Sequence, residues 1–116
     1  MKISFFLIKN WKIYTILILS IITVLSLYPL KQQAAFPGSD KMHHLIAYSS
    51  LTICIGMRKP PKYILILIFM SLYSGMIELI QPYVNRFADF EDYIFNNLGM
   101  IIGFVLGSFI KNLIEN

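Results

Sequence analysis

Four long stretches free of Asp, Glu, Lys and Arg recur along this chain, at residues 13–30, 42–57, 63–83 and 93–110, with Glu78 the single exception. Each approaches the roughly 20 residues that a helix needs to cross a bilayer at about 1.5 Å rise per residue. Of all residues, 57% are apolar and 14% are charged, whereas a soluble domain carries roughly 25% charged residues. So few charges cannot clothe a water-facing surface. A soluble enzyme, a disordered tail and a free nucleic-acid binder are therefore excluded as readings. The pattern predicts an all-α fold, an integral membrane four-helix bundle with helices over about 11–30, 40–57, 63–83 and 92–111. The whole chain, 1–116, reads as one domain.

The net charge of +4 sits in short clusters between the apolar runs, which is the membrane-topology use of Lys and Arg. Lys2, Lys9, Lys12, Arg58, Lys59, Lys62 and Lys111 fall on one side, and Lys31, Lys41 and Arg86 on the other. The richer side is expected to be cytoplasmic, with both termini inside. The first run is longer than the about 7–15 residues of a signal-peptide core and lacks a small residue before a cut at its end, so it reads as a retained anchor. Pro37-Gly38, Pro60-Pro61 and Gln81-Pro82 punctuate the chain. The connections 31–41, 58–62 and 84–92 are too short for an extramembrane domain. Cys54, alone inside an apolar run, can form neither an intrachain disulfide nor a thiolate metal site.

Polar residues recur at helical spacing on three of the runs. Asp40, His44, Tyr48 and Thr52 are four apart; Ser71, Ser74, Glu78 and Gln81 form a second stripe; Asp92, Asn96, Gly99 and Gly103 form a third. All three have their polar end at the outer surface, with Lys41 and Arg86 at the rim. An ionisable residue inside a membrane helix is a functional candidate by default, and Glu78 lies about 7 Å below the outer end of its helix.

Each has a plainer reading. Asp40 and Asp92 open helices, where a carboxylate caps free N–H groups and complements the dipole. Asp89 and Glu91 read as solvated loop charges. Only one of His43 and His44 can face the bundle, and the spacing to Tyr48 favours His44. Asn96 could serve simply as an interhelical hydrogen-bond partner, and Glu78 as a protonated acid bonded to a neighbouring helix. Gly99, Gly103 and Gly107 form two overlapping G-x-x-x-G spacings, which admit a closely packed helix from this chain or from a second copy. Trp11, Tyr14, Tyr28, Tyr63, Tyr83 and Tyr93 fall near run ends as interfacial anchors.

Asp40-Lys41-Met42-His43-His44-Leu45-Ile46-Ala47-Tyr48 resembles the D-K-x-x-H-x-x-x-Y motif of VanZ-like membrane proteins. Glu78-Leu79-Ile80-Gln81, then Arg86, then Asp92-x-x-x-Asn96-x-x-Gly99-x-x-x-Gly103 resembles that family's E-x-x-Q…R…D-x-x-x-N-x-x-G pattern. The likeness runs from about residue 37 to 107. Asn85 stands where a Gly before the Arg is common, and His43 duplicates the histidine. The resemblance implies a bacterial cytoplasmic-membrane protein, with some relatives linked to resistance to the glycopeptide teicoplanin. It carries no settled chemistry.

The residues themselves support three readings. In the first, Asp40, Lys41, His44, Tyr48, Glu78, Gln81, Arg86, Asp92 and Asn96 bind a lipid-linked or anionic envelope ligand, with Lys41 and Arg86 on its phosphate or carboxylate. In the second, His44, Glu78 and Asp92 act as acid and base on a lipid-linked phosphate. The third is a proton-coupled transporter relaying through Glu78, against which four helices and no inverted repeat weigh. No short ligand-spacing motif supports a metal site from His44, Glu78 and Asp92, and no cofactor is expected. The bilayer, a lipid-linked envelope precursor and a second copy on the glycine face are the expected partners; nucleic acid is not.

Overall fold

The computed structural model describes residues 2–28, 39–84 and 90–115. Five α-helices carry the fold: α1 (Lys2–Lys9), α2 (Trp11–Leu27), α3 (Ser39–Arg58), α4 (Tyr63–Ile80) and α5 (Phe90–Glu115). No strand occurs among the described residues, so the fold is all-α. The expected bounds shift at the N-terminus, at the end of α4 and at the start of α5, and in addition α2 stops at Leu27, α3 gains a residue at each end and α5 runs on to Glu115. The N-terminal segment is a short helix of its own, too brief for periodicity to reveal, and Asn10 separates it from α2. α4 ends at Ile80, and Gln81–Val84 tighten into a 3-10 turn around Pro82, which has no N–H to continue the α ladder. α5 starts two residues earlier than expected, so Glu91 and Asp92 sit in its first turn, where they complement the helix dipole.

The link between α3 and α4 shows why two prolines and two lysines occur together. Lys59 and Lys62 adopt positive φ of 45° and 63° on either side of Pro60-Pro61. That left-handed pair reverses the chain within five residues.

The burial pattern is inverted relative to a water-soluble bundle. Thr15, Thr52, Ser74, Glu78, Gln81, Asp92 and Asn96 are buried, while Leu65, Phe69, Leu72, Leu79, Ile101, Val105 and Phe109 are exposed. Polar groups inside and large apolar groups outside suit a hydrocarbon solvent, where a buried polar side chain finds its partner on another helix. α4 with its 3-10 turn and α5 are each long and apolar enough to cross a membrane. α3 is the most enclosed helix. Tyr48, Leu51, Thr52, Cys54, Ile55, Gly56 and Met57 are all buried, in a core shared with Ile22 of α2, Met70 of α4 and Met100 of α5.

α3 packs most extensively on α5, and glycine makes the approach possible. A Cβ at Gly99 would stand 2.6 Å from the Leu45 carbonyl oxygen. One at Gly103 would strike the Ser49 carbonyl and Thr52 Oγ1, and one at Gly107 the Ile53 carbonyl. Gly56 answers from α3, where a Cβ would strike the Phe104 carbonyl. Hydroxyls then bond across the seam: Ser49 Oγ to the Gly99 carbonyl at 3.0 Å, Thr52 Oγ1 to the Met100 carbonyl at 2.8 Å and Ser108 Oγ to the Gly56 carbonyl at 3.3 Å. The glycine face is thus filled by α3 of the same chain. Of the two neighbours that the spacing admits, a helix of this chain takes the seam.

Candidate functional site

The N-terminal turns of α3 and α5 lie beside the C-terminal turns of α4, and their polar stripes meet there. His44 of α3, Glu78 of α4 and Asp92 of α5 each offer a side-chain atom, and the three atoms lie within 4.8 Å of one another. Glu78 and Asp92 are buried and His44 is half-buried. His44 Nε2 is 3.8 Å from Asp92 Oδ2.

The other edge of the imidazole is fixed. His44 Nδ1 is 2.7 Å from Asn96 Oδ1, and Asn96 Nδ2 donates to Ser74 Oγ at 2.7 Å. Because the amide nitrogen is the donor to Ser74, the oxygen facing His44 is an acceptor, so Nδ1 must carry a proton and donate it. Nε2 is thereby aimed at the carboxylates. Tyr48, fully enclosed one turn along from His44, lies beside Ser74 and Glu78.

Lys41 closes the end of the cluster, at 3.3 Å from Glu91 Oε2 and 3.8 Å from Asp92 Oδ1. It is therefore engaged by two carboxylates of α5 rather than standing clear at the rim. Glu91, read from sequence as a solvated loop charge, is a helical residue that pairs with it while staying exposed. Gln81 is buried but turns to α2, donating Nε2 to the Ser26 carbonyl at 3.1 Å. Its described contact ties the end of α4 to α2. His43 is exposed, so His44 is the histidine of the bundle. Arg86 and the side chain of Asp40 lie outside the described residues.

One network had no counterpart in the sequence reading. Ser71 Oγ donates to Asn97 Oδ1 at 2.6 Å and lies 3.0 Å from Tyr93 OH, which therefore donates to it. Asn97 Nδ2 returns to the Tyr93 carbonyl at 2.9 Å. Ser71 leads the α4 stripe, yet it faces the α4–α5 seam rather than the cluster. The available signal was the four-residue spacing of Tyr93 and Asn97 on α5.

Two grooves reach the cluster from the outer face of the bundle. One, of about 290 Å³, runs between α2 and α3 and is lined by Ile22, Leu25, His43 and His44. The other, of about 520 Å³, lies between α4 and α5 and is lined by Leu72, Met76, Leu79 and Phe90, with Glu78 in its wall. Both are mainly apolar.

Compared with known families, residues 40–111 match the family model described as VanZ/LLP1. The chain belongs to the VanZ/LLP1 family. Neither a curated protein nor a solved structure matches the chain significantly. The VanZ/LLP1 match spans α3, α4 and nearly all of α5, and so takes in His44, Glu78, Asp92 and the glycine seam. With its inverted burial and two helices of membrane-crossing length, this VanZ/LLP1 chain is a membrane protein.

Proposed function

We propose that this VanZ/LLP1 protein recognises the polar head of a lipid-linked cell-envelope ligand at the outer face of the cytoplasmic membrane. The observation that carries this reading is the pairing of an enclosed ionisable cluster with an apolar groove that opens sideways. The α4–α5 groove offers Leu72, Met76, Leu79 and Phe90 to an acyl or prenyl chain, and Glu78 stands in the same wall. A lipid lying there brings its head to His44, Glu78 and Asp92 without leaving the bilayer. Such sites combine an apolar lining with a few placed polar groups. The seven-to-three distribution of Lys and Arg supports a multi-pass topology with both termini cytoplasmic, which sets the cluster outside. The VanZ-like resemblance extends the reading to glycopeptide tolerance, teicoplanin included, through occupancy of the envelope precursor.

A second reading is catalysis on a lipid-linked phosphate, favoured by the orientation of His44. An imidazole whose Nδ1 is held by Asn96 and whose Nε2 faces a carboxylate is arranged for proton transfer. One experiment separates the two. The protein in nanodiscs is presented with lipid II and with undecaprenyl phosphate and pyrophosphate, and both bound lipid and released phosphate are measured. Saturable binding without turnover supports recognition and phosphate release supports catalysis; the absence of both binding and release would refute the lipid-head reading.

A further inference from the structure

We propose that His44 Nε2 and one carboxylate oxygen each of Glu78 and Asp92 form a binding site for a divalent first-row transition-metal ion. The three donors come from three different helices, and their ligating atoms lie within 4.8 Å of one another. A metal held at about 2.0–2.2 Å by nitrogen and oxygen places neighbouring ligands about 3.3–3.6 Å apart in a tetrahedral shell. The His44–Asp92 separation of 3.8 Å is close to that spacing already. The remaining closure falls to the Glu78 side chain, which has three rotatable bonds.

The surroundings of the histidine are the second, independent support. A metal-ligating imidazole needs its outer nitrogen to donate to a fixed acceptor, which sets the tautomer and aims the lone pair. Asn96 Oδ1 is that acceptor at 2.7 Å, and Ser74 Oγ holds the Asn96 amide in turn at 2.7 Å. With Nδ1 engaged by Asn96, Nε2 is the ring nitrogen available to a ligand, and it faces the carboxylate of Asp92. Lys41 stands on the other oxygen of Asp92, at 3.8 Å from Oδ1, leaving Oδ2 on the histidine side.

The donor set selects the ion. Calcium takes six to eight oxygens and magnesium a mostly hydrated octahedron, whereas an imidazole with two carboxylates suits zinc, manganese, iron or cobalt. Three protein ligands leave a coordination position open, as in catalytic rather than structural zinc sites. The ion would also turn a cluster with two carboxylates into one that attracts a phosphate oxygen. In that respect the inference deepens the lipid-head reading and rests on it. Its test contains no lipid, so either can fail while the other stands.

The full chain, stripped with chelator in detergent, is titrated with Zn²⁺ by calorimetry and with Co²⁺ by visible absorption. The expected result is one ion per chain, d–d bands of low coordination number, and no displacement by excess Mg²⁺. His44→Ala and Glu78→Gln should each weaken binding at least tenfold. Asn96→Leu, a positioning variant, should weaken it by roughly 10–100-fold, as outer partners of ligating histidines do. His43→Ala should leave it unchanged. Should a variant fail to fold, the wild-type protein decides alone: Zn²⁺ must shift the ¹⁵N resonance of His44 Nε2 and leave Nδ1 protonated. No stoichiometric Zn²⁺ binding by folded wild-type protein, or binding that depends on His43 rather than His44, would overturn the site.

Discussion

Replacing Gly103 by alanine sets two forces of opposite sign against each other. Alanine is the better helix former, by about 1 kcal/mol relative to glycine. Against this, the new methyl would strike the Ser49 carbonyl oxygen and Thr52 Oγ1. Neither can give way freely, since one is backbone and the other bonds the Met100 carbonyl. The α3–α5 seam must open, which costs about 1–3 kcal/mol by overpacking. The Ser49–Gly99 and Thr52–Met100 bonds stretch with it, at about 0.6 kcal/mol each within a membrane. The net expectation is a loss of about 1–3 kcal/mol, from packing and bond terms that exceed the propensity gain. Unfolding by SDS titration in mixed micelles, followed by circular dichroism, measures it. Ile101→Ala on the exposed face of the same helix is the control and should shift stability by less than about 0.5 kcal/mol. A Gly103→Ala protein as stable as wild type, or more so, would refute the account of the seam, because propensity alone predicts that sign.

Three further outcomes are expected. A cysteine at Ser39 should react with an impermeant thiol reagent from outside and one at Lys59 should not, with native Cys54 buried and silent; reversed labelling would place the cluster on the cytoplasmic side. Arg86→Lys should weaken binding of a lipid-linked phosphate although charge is kept, because lysine lacks the bidentate fork, and Glu78→Gln should weaken it at least as much; normal binding by both variants at equal membrane abundance would leave a purely structural bundle. Lys62→Gly should stabilise the protein by about 1 kcal/mol in the same SDS titration, since φ of 63° suits glycine and strains lysine; destabilisation would mean that the lysine side chain contributes more than its backbone costs.

The helices were legible because a hydrocarbon solvent leaves a coarse signal: long apolar runs, stopped by Pro60-Pro61 and Pro82. The meeting of His44, Glu78 and Asp92 was legible in outline, because residues four apart share a helix face whatever lies opposite. What a periodic pattern cannot carry is the partner across a seam. Nothing in the sequence says that Gln81 turns to the backbone of α2 while Asn96 turns to His44, since both are polar members of a stripe. The glycine spacings announced a close neighbour without saying which helix it would be. α1 escaped notice because eight residues span barely two turns, too few for a period to stand out.

The enclosure of α3 bears on how such a protein is made. With Asp40, Lys41, His43 and His44 in its first turns and Arg58 at its end, α3 is the least apolar of the five helices and so a weak candidate for leaving the translocon into lipid alone. Its natural cover, the glycine face of α5, is synthesised more than thirty residues later. In the proposed topology, α3 must therefore be held against α2, or in the translocon itself, until α5 emerges. During that interval the nascent chain presents an uncovered polar helix to membrane chaperones and proteases. Changes at Gly99 or Gly103 would then lower the amount of protein inserted before they altered the properties of the protein that survives.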